Sequence, residues 1–366
     1  ALDAPYVATG DIFVAWSTNP LLTLGDGVEI RFVSGTGLHA GWSGSGRLGV
    51  TGSTVGVTLT SHEAAPAAGD WTGLYIGSYA DGATLRGLTV AYGGGGVASP
   101  TGAIHVSTAD ITLEGCTVHD SAAHGLYAQG SVLSIAGSTF RDNAEDGVHL
   151  SLTSDLARAA TSSFTGNNAV DNGGFGVSLP PNAVGMLDPS SSYGPNTDAG
   201  VRVWGGNLLV DASWLPLDEP YLAVGDIRAE WSTAPELTIA PGVELRFDAG
   251  VALYAGWGGS GSFRAVGTAS AGILFTSAAG TPAAGDWLGL HIGSYCNATR
   301  AVLDHVTIEY GGGAPSQGNL SWSGCDGSID NATIRHSASW GIYRASGAAP
   351  IIGAVTYDSN ASGNLF

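Results

Sequence analysis

Five residues in a short span have the types that acid–base or metal chemistry needs: Asp120, His124, Asp142, Glu145 and Asp146. Two or three convergent carboxylates can act as general acid and base in glycoside cleavage. Asp120, Asp142 and Asp146 would be that set if stacked turns of chain bring Asp120 beside Asp142. Read as Asp142, Glu145 and Asp146, the same stretch could instead hold calcium. Against both stands the ordinary use of Asp in turns, where its carboxylate bonds nearby backbone. The chain contains a second copy of this region, with His336 and Ser337 opposite the Asp120 position, Trp340 opposite His124 and Ser359 opposite Asp142. A site absent from one copy is not demanded by the fold. The expectation is therefore no catalytic residue, no metal and no cofactor, with the carboxylate sets as the alternative.

The other reactive types are scattered. None of the nine histidines shows His-x-His or His-Glu-x-x-His spacing, so zinc is not expected. Cys116 lies in an alternating strand and reads as a buried thiol. Cys296 and Cys325, 29 residues apart, could stack on neighbouring coils and form a disulfide in an oxidising compartment. Six of the ten tryptophans form pairs between the copies: Trp16 with Trp231, Trp42 with Trp257, and Trp71 with Trp287. Their recurrence is read as structural packing. Trp204, Trp214, Trp322 and Trp340 have no such partner and are the better candidates for outward contact.

Composition limits the classes of function. The 366 residues carry a formal charge of −19 and only 12 basic residues, all arginine. Such a surface repels phosphates and anionic headgroups, which argues against nucleic acid. No apolar run is long enough to cross a membrane as a helix, so membrane insertion is not expected. Fifty-eight glycines without a Gly-X-Y period mark turns rather than collagen.

The elements that must position these residues follow from repetition. Residues 5–32 and 220–247 are identical at 17 of 28 positions. Gly69-Asp70-Trp71 returns as Gly285-Asp286-Trp287, read as a corner with glycine for the bend, Asp for a turn hydrogen bond and Trp over the core. The domain expectation is a first unit of residues 1–215, with a protruding loop at about 180–196. A shorter second unit, 216–366, continues it. Within the units, Thr117-Val118, Asp120 and Gly125-Leu126 recur 22 residues later as Thr139-Phe140, Asp142 and Gly147-Val148. Val28-Glu29-Ile30-Arg31-Phe32 alternates with period two, as a strand with one buried face does. Short strands at such spacing, separated by glycine and asparagine turns, are what a parallel β-helix requires. Ser154 to Ala160 is the one stretch with helical character.

The run Gly225-Asp226-Ile227, Leu237-Thr238-Ile239-Ala240-Pro241-Gly242-Val243-Glu244-Leu245-Arg246-Phe247, Ile273-Leu274-Phe275-Thr276-Ser277, Gly285-Asp286-Trp287-Leu288-Gly289-Leu290 and Val306-Thr307-Ile308-Glu309-Tyr310-Gly311-Gly312 resembles bacterial secreted right-handed parallel β-helix repeat proteins. The resemblance implies an all-β, right-handed single-stranded parallel β-helix, here as two tandem homologous units. It implies no activity, because lyases, hydrolases, tailspikes and adhesins share the fold. The expected function is a secreted, extracellular or cell-surface structural or adhesive β-helix. Its expected partners are other copies, joined end to end into a fibre, and surface glycans. A polysaccharide-degrading enzyme is the alternative.

Overall fold

A computed structural model of the chain describes residues 4–96, 101–151, 161–314, 317–345 and 347–366. The stretch from Ser154 to Ala160 lies outside them. Strands pair in parallel, each with a strand of the next coil, so the chain winds as a parallel β-helix. It divides into two compact units, Ala1–Leu179 with Met186–Val201, and Pro180–Gly185 with Arg202–Phe366.

In the first unit each coil contributes to three parallel sheets. One contains Glu29–Phe32, Val57–Ser61, Leu88–Ala91, Thr117–His119 and Thr139–Arg141. Its register stacks Ile30, Leu59, Val90, Val118 and Phe140 as a buried column. Thr58, Thr89, Thr117 and Thr139 stack beside it on the outer face. Period-two alternation produces both columns, because a strand sends successive side chains to opposite faces. The second sheet contains Ile12–Val14, Gly37–Ala40, Gly73–Ile76, Gly102–Ser107, His124–Gln129, Val148–Leu150 and Val177–Leu179. The third runs through Leu21–Gly25, Arg47–Thr51, Ala83–Arg86, Ile111–Glu114, Leu133–Ala136 and Ser163–Thr165.

Where the first sheet bends into the second, the chain uses left-handed backbone at Tyr92, Asp120, Asp142 and Asp171, with φ of 62°, 53°, 55° and 56°. A stack of asparagines follows this corner. Asn143 Oδ1 accepts from the Ser121 N–H at 3.2 Å, Asn172 Oδ1 from the Asn143 N–H at 3.3 Å, and Asn196 Oδ1 from the Asn172 N–H at 2.9 Å. Their Nδ2 atoms donate to strand carbonyls such as Phe140 O. Buried turn backbone is thereby paired rather than left to cost free energy.

The second unit also has three sheets. Its Glu244–Phe247, Ile273–Ser277 and Val306–Glu309 strands belong to one, and Ile227–Ala229, Ala252–Ala255, Gly289–Ile292, Gly318–Trp322 and Trp340–Arg344 to another. Trp71 and Trp287 are fully buried. Each indole stacks on a core ring, Phe32 at 4.4 Å or Phe247 at 4.1 Å, and each Nε1 donates to a strand carbonyl, Ala91 O or Glu309 O. Asp70 and Asp286 accept from Ser61 and Ser277 hydroxyls and from the Ala67 and Ala283 N–H groups. Gly69 and Gly285 have φ of 87° and 90°, and a Cβ on either would come 2.9 Å from an alanine methyl.

Three expectations are corrected. Residues 180–196 do not protrude: Pro181–Met186 forms a short 3-10 turn, and Asn182, Ala183, Val184, Met186, Leu187 and Tyr193 are buried. Trp214 and Trp322 are fully buried rather than outward, because each lies on an inward position of its strand. Conversely Trp16, Trp42 and Trp231 are exposed, at 69%, 54% and 45%. Recurrence marks a repeated position, and that position can face solvent.

Candidate functional site

The outer face of the first unit's second sheet carries one ring on each of six successive strands, from Ile12–Val14 to Val148–Leu150, before Ser178 takes the position. Register places Phe13, His39, Tyr75, His105, Tyr127 and His149 one above another. Each is flanked along its strand by inward aliphatic residues, as in Leu38-His39-Ala40, Leu74-Tyr75-Ile76 and Ile104-His105-Val106, which fixes the ring outward. Centroid separations are 5.0 Å for Phe13 and His39, 5.1 Å for Tyr75 and His105, 5.0 Å for His105 and Tyr127, and 5.4 Å for Tyr127 and His149. Only His39 and Tyr75 stand further apart, at 6.3 Å. Trp42, from the turn after the His39 strand, meets Tyr75 edge-on at 4.4 Å.

Three of the column rings, His39, Tyr75 and His105, wall a cavity of about 260 Å³ with Trp42, Asp11, Thr72 and Thr101 among others. Asp11 Oδ1 accepts from the Gly37 N–H at 2.9 Å and lies 3.5 Å from His39 Nε2. Burial pushes the His105 pKa below its ordinary value, which keeps this imidazole neutral at physiological pH. His105 Nε2 and His39 Nδ1 are buried with no hydrogen-bond partner among the described residues. An apolar hollow with a few polar tips is the usual form of a small-ligand or sugar pocket.

At the His149 end the column meets a polar cluster. His124 opens its strand, Asp146 sits in the turn ahead of Val148–Leu150, and His149 lies within that strand. Pairing of Leu126 with Val148 brings His124 alongside Asp146. Asp146 is buried, and its Oδ2 lies 2.9 Å from His149 Nδ1 and 3.6 Å from His124 Nδ1. Its Oδ1 accepts from the Phe175 N–H at 3.0 Å, and its own N–H donates to His124 Nδ1 at 3.1 Å. Glu145 Oε2 stands 3.0 Å from His124 Nε2. The two imidazole centroids are 4.2 Å apart.

The carboxylates singled out from sequence do not form one group. Asp120 and Asp142 follow the in-register residues His119 and Arg141, so they do stack on successive coils. Each occupies the left-handed corner and pairs with its preceding neighbour, Asp120 with His119 at 2.7 Å and Asp142 with Arg141. Asp146 turns away to the histidines. Among the described residues, three ligating side chains converge only as His124, Asp146 and His149. Asp142, Glu145 and Asp146 are not among the described side chains that converge as a ligand set, and Asp120 and Asp142 are engaged with His119 and Arg141 while Asp146 is engaged with the histidines. The corner's backbone geometry decides this, because it commits Asp142 to the turn.

Sequence spacing missed His149 and the whole ring column. Successive rungs are separated by 26, 36, 30, 22 and 22 residues, so no fixed period exposes them. The available signal was local: a ring between two aliphatic residues, repeated as Leu-His-Ala, Leu-Tyr-Ile, Ile-His-Val, Leu-Tyr-Ala and Val-His-Leu.

Residues 26–207 match the family model described as the right handed beta helix region. The chain folds as a right-handed parallel β-helix. The comparison with curated proteins finds no match. Among solved structures, this β-helix aligns with a variant catalytic domain of GH87 alpha-1,3-glucanase in complex with tetrasaccharides. Identity is 12%, coverage is 100% of this chain and 67% of that one, and the TM-score is 0.38. The same glucanase domain in complex with nigerose aligns at 12% identity over 94% of this chain and 61% of that one, with a TM-score of 0.34. PfbA, a surface adhesin of Streptococcus pneumoniae, aligns at 7% identity over 98% of this chain and 84% of that one, with a TM-score of 0.29.

Proposed function

We propose that this chain is an extracellular or cell-surface β-helix of adhesive type, which binds an uncharged glycan along the ring column of its first unit. The observation that carries the reading is the unbroken outward series from Phe13 to His149, with the Trp42 hollow on its flank. The rings meet one another stacked, tilted or edge-on and Tyr127 is buried, so a ligand meets the free edges and polar tips of the others together with the exposed Trp42 indole. Tyr and His present an apolar body with a hydrogen-bonding tip, which suits a polyol. The rungs repeat at about the 4.8 Å spacing of parallel strands, close to the rise of one sugar in an extended chain. A charge of −19 disfavours acidic polysaccharides and leaves neutral ones as the partner. The bridge between Cys296 and Cys325, with Cα atoms 6.0 Å apart, suits an oxidising compartment.

A glycan array followed by calorimetry tests the reading. Neutral oligosaccharides are expected to bind, and Trp42→Ala and Tyr75→Ala should each weaken binding by tenfold or more. Absence of neutral-glycan binding, or equal affinity in both variants, overturns it.

A further inference from the structure

We propose that His124, Asp146 and His149 form a binding site for a borderline divalent transition metal of the zinc type. Each residue offers one ligand atom, and the three atoms lie within 4.8 Å of one another. Four-coordinate zinc holds nitrogen and oxygen ligands about 2.0–2.2 Å away, which places ligands roughly 3.4 Å from each other. The two carboxylate–imidazole separations, 2.9 and 3.6 Å, bracket that value, and metal binding requires His124 Nδ1 to give up the hydrogen bond it accepts from the Asp146 N–H.

The donor set selects the metal class. Two imidazole nitrogens and one carboxylate oxygen suit zinc, cobalt or nickel, whereas calcium and magnesium prefer an all-oxygen shell. Asp146 is held from its second oxygen by the Phe175 N–H, the kind of outer contact that orients a ligating carboxylate. Glu145 Oε2, 3.0 Å from His124 Nε2, holds that imidazole from its far nitrogen, the outer contact that directs Nδ1 toward Asp146.

The second unit supplies an internal control. At the matching register it has Trp340 for His124, Gly363 for Asp146 and Phe366 for His149. Trp340 fills the space there, a Cβ on Gly363 would come 2.7 Å from its ring, and Trp340 and Phe366 lie 5.3 Å apart. The coil therefore closes with aromatic packing and needs no polar trio.

The site stands whether or not the chain binds glycans, and its test involves none. Titration of the intact, metal-stripped chain with Co²⁺ should give visible d–d absorption that saturates at one equivalent and is displaced by Zn²⁺. His149→Gln and His124→Gln should each lower Zn²⁺ affinity at least tenfold by calorimetry, with unchanged far-ultraviolet circular dichroism. If a glutamine variant misfolds, His124→Trp, which places the second unit's residue at this register, serves in its place and should also lose Co²⁺ absorption. No saturable Co²⁺ signal, tighter binding of Ca²⁺ than of Zn²⁺, or full Zn²⁺ affinity in the folded variants overturns the assignment.

Discussion

The two units carry equivalent outer columns on equivalent registers, and the residues on them differ. The first reads Phe13, His39, Tyr75, His105, Tyr127, His149, and the second Arg228, Tyr254, His291, Ser321, Tyr343, Phe366. Ser321 interrupts the second series, and Arg228 lies over the Tyr254 ring at 4.2 Å while bonding Asp226 and Glu230. Inside, by contrast, the copies agree down to the Phe and Trp stack of each corner. The winding constrains inward positions through packing, whereas an outward position answers only to its neighbours on the column. Chemistry specific to one unit therefore has to be sought where the copies diverge, which is where the ring column and the His124 cluster lie.

The sharpest test of the shared interior is the corner itself. Trp71→Ala and Trp287→Ala should each cost about 3–5 kcal/mol, since both remove a fully buried indole and its hydrogen bond. Denaturant unfolding followed by hydrogen exchange in each unit checks this, and a large cost in one copy with a negligible cost in the other breaks the comparison. A smaller effect separates the outer columns. His291 is buried with neither ring nitrogen hydrogen-bonded, and burial lowers its pKa to about 4. Unfolded, the same group titrates near 6.5, so between these values the unfolded state binds more protons and stability falls as pH falls. His291→Tyr, which installs the first unit's residue, should remove roughly 3 kcal/mol of that acid sensitivity between pH 7 and pH 4. An unchanged stability profile against pH would refute it. Least is expected of the outward pairs Glu29 with Arg31 and Glu244 with Arg246, each 2.6 Å apart and half-buried. Arg31→Ala and Arg246→Ala should each change stability by less than about 1 kcal/mol, read from denaturation midpoints.

The fold was legible in sequence because its rules are local. Alternation in Val28 to Phe32 names the inward side chains, and the repeat of Thr117-Val118 at Thr139-Phe140 aligns one coil with the next. The corner following Thr139–Arg141 was visible as a turn, but whether Asp142 or Asp146 faces a site depends on left-handed backbone at Asp142, which no spacing rule supplies. His124, Glu145 and Asp146 drew attention by type. Their partner His149 did not, because its place is set by pairing with Tyr127 across a coil boundary. The exposed Trp42 was misread for a related reason: a repeated residue reports a shared position, and burial has to come from the strand it follows.

The parallel register gives the outer column a further property. Since neighbouring rungs keep a fixed separation whatever residues occupy them, the face acts as a ruler with interchangeable marks. Replacing one rung rewrites a single graduation and leaves the scale intact, so a surface of this kind can acquire a new preference for ligand length or pattern by one substitution at a time while its interior stays as it was.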